Sequence, residues 1–219
     1  MRSALAAVLC LPLVLAGCSM TPTAAPSASA GVTISGVVHG GQQPIVGAEM
    51  FLFAANTTGY GGNGIAASAG SAGNASISLL KSAANTVQDT NSADPTYLDY
   101  YTTTGTGGSF AITGDYSCAP GQQVYLYALG GNPTYPVGSA NSAIGLLAAL
   151  AACPSADSFP SSTYIVVNEV STIAAAYAFA GFATDAVHVS SSGTVLAQTG
   201  IANAFANAAN LETLSTGVA

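Results

Sequence analysis

The side chains best suited to acid–base and nucleophilic catalysis are few and scattered in this sequence. His39 and His188 are its only histidines, and the spacing of neighbouring residues implies no catalytic partner for either of them. The serine motif G-x-S-x-G, the zinc motif H-E-x-x-H and the phosphate-binding loop G-x-x-x-x-G-K-[ST] do not occur. We therefore predict no catalytic residues and no enzymatic activity.

One glycine pattern has the residue spacing of a cofactor-binding motif. Gly59, Gly61 and Gly64 have the G-x-G-x-x-G spacing of dinucleotide-binding loops. That motif works where it joins a strand to a helix whose N-terminus holds the pyrophosphate. Residues 56–75 are rich in Gly, Ala and Ser and have no helical pattern after them. We interpret this segment as a long loop and predict that the chain takes no cofactor.

Oxygen-bearing side chains are concentrated in the polar segment 82–104. Asp89, Asn91, Asp94 and Asp99 lie within eleven residues of one another, and carboxylate and amide oxygens are the ligands that Ca²⁺ prefers. The glycine and the terminal glutamate of an EF-hand loop are missing, so a solvated loop is the favoured interpretation. We predict no metal site.

Three tyrosines lie on the same segment. Tyr97, Tyr100 and Tyr101, beside acids and amides, resemble a surface that contacts a glycan or a protein partner. The alternative, which we favour, is that they cover the protein core beneath a long loop, because scattered exposed aromatics are ordinary. The chain also has no tryptophan for a dedicated carbohydrate platform.

The N-terminal residues are typical of a secretory signal. Arg2 is followed by an apolar stretch over residues 4–15 and then by two small residues directly before Cys18. A basic start, a short apolar run and small residues before a cut are the parts of a signal peptide. The run is too short for a membrane span, which takes about 20 residues. We predict a signal peptide at residues 1–17.

The end of that segment, Leu15-Ala16-Gly17-Cys18, resembles the lipobox of bacterial lipoproteins. The resemblance implies that the chain is cut before Cys18 and that the Cys18 thiol carries lipid, which anchors the protein to a membrane. Ser19 rather than Asp follows the cysteine, and this resembles an outer-membrane address. Residues 18–30 form the predicted flexible tether, with a root-mean-square reach of roughly 20 Å. A plain secretory signal with an incidental cysteine is the alternative.

Composition excludes several classes of partner. The chain has two basic residues against nine acidic ones, and only 5% of its residues are charged. A surface so poor in Lys and Arg cannot neutralise phosphates, which excludes nucleic acid as a partner and removes electrostatic attraction to anionic lipid headgroups. We predict a cell-envelope localisation, with the membrane contacted through the lipid and a glycan or protein as the further partner.

Two cysteines, Cys118 and Cys153, remain beyond the signal and the lipid site. An even pair in an exported chain predicts a disulfide, because the compartments outside the cytoplasm are oxidising. The bridge would close a loop of about 36 residues, worth about 4 kcal/mol in the chain-entropy model. Two buried thiols or a metal pair are the alternatives, and the metal pair lacks histidines at ligand spacing.

Period-two alternation predicts β-strands over much of the first hundred residues after the tether. Val32, Ile34 and Val38 alternate with polar residues and predict a half-buried strand. Residues 48–54 are apolar on both faces and predict a central strand. Three further strands are predicted over residues 76–80, 109–113 and 123–129.

Two motifs in this region fit a known family. They are Gly36-Val37-Val38 followed by Pro44-Ile45-Val46-Gly47-Ala48-Glu49-Met50-Phe51-Leu52, and Gly105-Thr106-Gly107-Gly108-Ser109-Phe110-Ala111-Ile112. The first resembles the opening G-x-V … P-[VIL]-x-G-A-x-V-x-L of carboxypeptidase regulatory-like domains. The second is similar to their later strand entry T-D-x-x-G-x-F-x-I, without its usual Asp. The resemblance implies a small transthyretin-like β-sandwich, an extracellular context and no catalytic residues.

The last third of the chain has a different pattern. It predicts an Ala- and Leu-rich helix over residues 141–152, a strand over 163–167, a helix that is apolar all round over 173–182, and an amphipathic helix over 200–211. A short helix that is apolar all round is expected to pack against the sheet.

The predicted fold is therefore mainly β. It consists of a transthyretin-like or Ig-like antiparallel β-sandwich at residues 31–130 and a C-terminal strand and helical extension at 131–219 that carries two or three helices. The predicted function is a non-catalytic, lipid-anchored envelope protein with a structural or contact-making module. The alternative is a ligand-binding lipoprotein that recognises glycan or peptide through residues 82–104.

Overall fold

The computed structural model describes residues 32–57, 75–134, 138–154 and 158–212, and these residues form twelve β-strands and two α-helices. The strands are β1 (Val32–Gly40), β2 (Gln43–Pro44), β3 (Glu49–Ala54), β4 (Ile77–Ser78), β5 (Val87–Gln88), β6 (Tyr100–Thr103), β7 (Ser109–Thr113), β8 (Gln123–Leu129), β9 (Gly145–Ala152), β10 (Thr163–Val167), β11 (Ala183–Asp185) and β12 (His188–Val189). The helices are α1 (Glu169–Phe179) and α2 (Val195–Glu212). The predicted signal peptide, Cys18, the tether and the glycine pattern beginning at Gly59 lie outside the described residues.

Ten of the twelve described strands belong to two sheets. In the first, β1 lies between β10 and β7, and β2 folds back on the end of β1. In the second, the order is β5-β6-β3-β8-β9, with β4 beside the far end of β3. All pairings are antiparallel except that of β1 with β10. The prediction of a mainly β fold with antiparallel sheets and two helices near the C-terminus is confirmed.

The first apolar core lies between the two sheets. It takes Ile34 and Val38 from β1 and Phe110 from β7, together with the residues of β3, β8 and β9 that face them. The alternation predicted for β1 is confirmed, because Ile34 and Val38 are fully buried while Ser35 and Val37 between them are half-buried. Burial of apolar surface at about 25 cal/mol per Å² is what holds such sheets together.

Strand β3 is buried on both faces, as predicted. Its neighbours are β8 on one side and β4 and β6 on the other. Met50 and Leu52 point into the core between the sheets, whereas Phe51 and Phe53 point to the opposite face. A strand covered on both faces has no polar side, which is why its sequence is a continuous apolar run.

The second core lies between the outer face of the second sheet and the two helices. Phe179 of α1 and Phe205 of α2 stack with ring centroids 4.3 Å apart, and both contact the ring of Tyr125 on β8. The Tyr125 hydroxyl is buried, 2.8 Å from the Ser76 Oγ and 2.8 Å from the Ala186 carbonyl oxygen. Burial raises the pKa of this phenol, so it stays a neutral hydrogen-bonding group.

The prediction of a helix over residues 141–152 is wrong, because Gly145–Ala152 form strand β9. This strand pairs with β8 along its whole length. Leu146 and Ala148 face the core between the sheets, and Leu147 and Ala149 face the helices. With small apolar residues on both faces the period of two disappears, and Ala and Leu then give a helical signal that the pairing with β8 overrides.

Strands from the predicted C-terminal extension are part of both sheets. Strand β9 lies beside β8 in the second sheet, and β10 lies beside β1 in the first, in the register Ile34 with Thr163. Helix α1 begins directly after β10, where the Asn168 side chain accepts from the Ser171 N–H and the Ser171 side chain accepts from the Asn168 N–H. This capping box satisfies donors that the first turn leaves open.

Candidate functional site

Three carboxylates meet at one end of the second sheet. One oxygen from each of Glu49, Asp89 and Asp94 lies within 4.8 Å of the others. We call these three residues the acidic cluster. Glu49 opens β3 and pairs with Thr103 of β6 and with Leu129 of β8, so the sheet itself positions it.

The segment after β5 positions the other two acids through local hydrogen bonds. The Asp89 carboxylate is almost fully buried and accepts from the Asn91 N–H at 2.8 Å and from the Thr96 hydroxyl at 2.9 Å. The Asn91 side chain donates to Asp94 at 2.8 Å. Leu98 has a positive φ of 74°, and its N–H donates to the Asp89 carbonyl oxygen at 2.9 Å. Asx-type bonds of this kind give a polar segment a defined shape without a core of its own.

The electrostatics of the cluster favour uptake of a proton or a cation. Burial, and then the neighbouring charge of Asp89, raise the pKa of Glu49, and a hydrogen bond with Tyr101 opposes them in part. Burial and Glu49 in turn raise the pKa of Tyr101. Within the described residues Lys81 is the only Lys or Arg, and its amine donates to the Ser117 hydroxyl at 3.0 Å, away from the cluster.

An open cavity of about 270 Å³ lies against the acidic cluster. It is lined by Glu49, Asn91 and Asp94 on one side and by Leu129, Gly130 and Ser142 on the other. Carboxylate and amide oxygens on a concave surface can hold a divalent cation or accept hydrogen bonds from hydroxyl and ammonium groups. Asp89 and Asp94 belong to the set that the sequence singled out, whereas Glu49 was missed and Asp99 lies outside the cluster.

We predict that Glu49→Gln raises the stability of the protein at pH 7.5 and not at acidic pH. An acid with a raised pKa in the folded state contributes stability below its ordinary value of 4.5, and this contribution is lost as the pH rises through the raised pKa. Glutamine does not ionise, so the variant avoids this loss of stability above the raised pKa. Because Glu49 is partly solvated, we expect the midpoint of thermal unfolding to rise by roughly 2 °C.

Circular dichroism melts at pH 4 and pH 7.5 measure this effect. Asp115→Asn is the control, because it makes the same change in net charge away from the cluster, where Asp115 accepts from the Thr113 hydroxyl. An equal rise for both variants, or a rise for Glu49→Gln at pH 4, would contradict the prediction.

The three predicted contact tyrosines do not share a face. Tyr100 and Tyr101 are consecutive on β6, so Tyr100 packs on the core between the sheets and Tyr101 on the core beneath the helices. The Tyr101 ring lies 5.4 Å from that of Phe51, and its phenol is near enough to Glu49 for that carboxylate to raise the phenol's pKa. Tyr97 is 47% exposed on the segment before β6. Of the three, Tyr101 is the one that joins the acidic cluster.

A second cavity, of about 440 Å³, opens at the same end of the domain. Ile45, Ile144 and Leu146 form its apolar part, and Asn141 and Glu169 its polar part. The Gly41 N–H donates to the Glu169 carboxylate at 2.6 Å. The segment around Asn141 and Ser142 separates this cavity from the one beside the acidic cluster.

The disulfide between Cys118 and Cys153 is confirmed. Their Cα atoms lie 6.0 Å apart, within the range that a bridge requires. Both residues are buried in the core between the sheets, where the bond ties the segment after β7 to the end of β9. Gln122 and Gly121 bond the Cys153 backbone from the turn before β8.

His188 has an acidic partner in the structure that the sequence analysis did not identify. Its Nδ1 lies 2.8 Å from the Asp185 carboxylate across the β11–β12 hairpin. The signal was present as D-x-x-H in a tight turn, which brings the first and fourth residues together. A histidine and an acid need a nucleophile to form a hydrolytic triad, and within the described residues His188 has no hydrogen bond to a hydroxyl or thiol. The nearby Ser190 Oγ is buried without a hydrogen-bond partner.

Comparisons with known proteins do not add a family to this picture. No protein-family model, curated protein or solved structure matches the chain. Within the described residues, neither helix is long and apolar enough to cross a membrane.

Proposed function

We propose that this chain is a non-catalytic envelope protein, anchored by lipid on Cys18, whose β domain makes structural or binding contacts outside the cytoplasm. The observation that carries the proposal is the sequence Leu15-Ala16-Gly17-Cys18 after a short apolar run. The bond between Cys118 and Cys153 supports it, because structural disulfides persist in oxidising compartments. The near absence of Lys and Arg fits a protein with neither nucleic acid nor anionic headgroups as its partner.

The finer architecture that we propose is a transthyretin-like β-sandwich. Its support is the shared core of the two sheets and the two glycines of the family motifs. Gly47 has a φ of 76°, which glycine adopts without a side-chain clash. Gly108 has a φ of 69°, and an added Cβ there would lie 2.3 Å from the Val38 carbonyl oxygen. Phe110, two residues later, enters the core between the sheets.

We predict that labelled palmitate enters the wild-type protein and does not enter Cys18→Ser. The serine hydroxyl does not replace the thiol in the lipid transfer that the lipobox resemblance implies. The variant is therefore expected to remain as a longer precursor, which a gel separates from the processed form. The measurement is metabolic labelling followed by capture of the protein and fluorography.

Cys10→Ser is the matched control, because Cys10 lies inside the predicted signal peptide. It is expected to label and to be cut like the wild type. Label that persists in Cys18→Ser, or that is absent from the wild type, would refute the lipid anchor.

The second candidate function is recognition of a glycan or peptide through residues 82–104. The observation that favours it is the cavity beside the acidic cluster, because that segment supplies Asn91 and Asp94 to it. Hydroxyl groups of a sugar or an ammonium group of a peptide would find oxygen acceptors there. A glycan array tests the first class of ligand.

We expect Asp94→Asn to abolish a glycan signal and Asp115→Asn to leave it unchanged. Both substitutions replace a half-buried acid with its amide, and Asp94 alone lines the cavity. Equal binding by the two variants would exclude the cavity as the glycan site.

A further inference from the structure

Helix α2 starts with two large apolar side chains that the rest of the described chain leaves exposed. Val195 is 81% and Leu196 is 83% exposed, whereas Ile201 and Phe205 further along the same helix are fully buried. From Val189 to Leu211 the sequence contains no charged residue. The first turn of α2 thus presents an apolar, uncharged tip, which we call the α2 tip and define as residues 195 and 196.

The α2 tip lies at the end of the second sheet where β3 ends and β8 begins. Ala54, the last residue of β3, pairs with Val124 near the start of β8. Two residues after Ala54, the Asn56 carbonyl oxygen accepts from the Ser191 N–H at 2.9 Å. Val195 follows four residues later, so α2 starts beside this end of the sheet.

Strand β1 begins at the same end of the domain. Val32, its first residue, pairs with Thr113 at the end of β7. Five residues after Thr113, Cys118 is bonded to Cys153, which directly follows the last residue of β9, Ala152. Strand β9 ends where β8 begins. The start of β1 and the start of α2 are thus separated mainly by the thickness of the layers, which is about 10 Å for each layer.

We propose that the α2 tip inserts into the interfacial region of the membrane that holds the lipid anchor. The inference rests on the proposed function, in which residues 18–30 tether β1 to lipid with a reach of roughly 20 Å. That reach is comparable with the distance of about 20 Å across two layers, so a tether of this length allows the α2 tip to meet the same bilayer.

The chemistry of the tip suits a phospholipid surface. Leucine and valine gain by leaving water for the boundary between headgroups and acyl chains. The first turn of α2 has no acidic residue, so no carboxylate has to be drawn into the headgroup region with the tip. The contact needs no basic residue, which agrees with a chain that has only two.

A single tryptophan can report the depth of the tip, because the chain has no tryptophan of its own. Leu196→Trp places the indole at the tip. Leu211→Trp places it on the same helix, about 22 Å away along the axis, at a position that is also exposed in the wild type. The lipidated protein carrying each variant is reconstituted in phosphatidylethanolamine and phosphatidylglycerol vesicles that contain a phospholipid brominated on its acyl chain.

We expect the brominated lipid to reduce the fluorescence of Leu196→Trp roughly twofold, because interfacial side chains reach about 5–10 Å into the acyl boundary. Leu211→Trp should be unaffected. If both proteins float with the vesicles and neither is quenched, the tip does not touch lipid, whereas the proposed lipid anchor on Cys18 is retained. If both are quenched, the helix lies along the surface and the proposed orientation is wrong.

Two further outcomes also decide the question. If neither protein floats with vesicles and neither takes palmitate, the anchor and the tip contact fail together. If iodide fails to quench Leu196→Trp in the absence of lipid, the tip is already covered in the protein and the lipid contact is wrong. Circular dichroism of both variants checks that each is folded.

Discussion

Replacing Cys118 and Cys153 together by alanine is expected to lower the free energy of unfolding by about 4 kcal/mol. The bond spans a sequence separation of 35 residues, and without it the unfolded chain regains the entropy of a loop of about that length. Both positions are buried in the core between the sheets, so loss of packing adds to the effect of the cross-link. Urea unfolding followed by circular dichroism measures the change.

The experiment is best done in a chain with Cys10 and Cys18 both replaced by serine, because Cys118 and Cys153 are then its only cysteines. Reductant should then bring the protein with an intact bridge close to the double alanine variant and leave that variant unchanged. A double variant whose unfolding free energy is within about 0.5 kcal/mol of the parent would show that the bridge does not stabilise the fold.

Gly36→Ala is expected to destabilise the protein by about 3 kcal/mol. Gly36 lies in the middle of β1, paired with Ile165 of β10 on one side and with Phe110 of β7 on the other. An added Cβ would lie 1.9 Å from the Ile165 carbonyl oxygen and 2.7 Å from the Phe110 Cζ. Because β1 is flanked on both sides, relief requires movement of backbone, and overpacking of this kind falls at the upper end of the usual cost.

Gly114→Ala is the matched control for this prediction. An added Cβ at Gly114 has nothing within 4 Å, and its φ is not positive. The same glycine-to-alanine change should therefore leave the free energy of unfolding within about 0.5 kcal/mol of the wild type. Equal urea midpoints for Gly36→Ala and the wild type would mean that β1 and β10 are not packed as described.

Strands rich in β-branched and aromatic residues could be predicted with good boundaries, whether or not they have a polar face. The alternation of Ile34 and Val38 with Ser35 placed β1, and strands β7, β8 and β10 lie where the sequence predicted them. Strand β9 could not be found in this way, because it has no clear alternation and consists of Gly, Ala and Leu, which lack strand propensity and favour the helical interpretation. Residues 145–152 form a strand because they pair with β8, and the local sequence carries no signal that predicts this pairing.

Two of the three acids of the candidate site could be identified from the sequence. Asp89 and Asp94 stood out because they are close along the chain and lie in a polar segment. Glu49 did not, since forty residues separate it from Asp89 and its neighbours are apolar. Its only signal was an unpaired acid at the start of a buried strand in a chain almost without Lys and Arg, and acids in that position need a partner or a proton.

By itself, the sequence determined the charge balance, the disulfide pair and the strands whose composition or alternation is local. Only the tertiary structure decided that the second sheet is covered by helices on its outer face, that Tyr100 and Tyr101 point to opposite cores, and that Glu49 meets Asp89 and Asp94. The reason is the range of the interactions. Propensity and alternation act over a few neighbouring residues, whereas burial on a second face and contact between distant acids depend on how the strands pair.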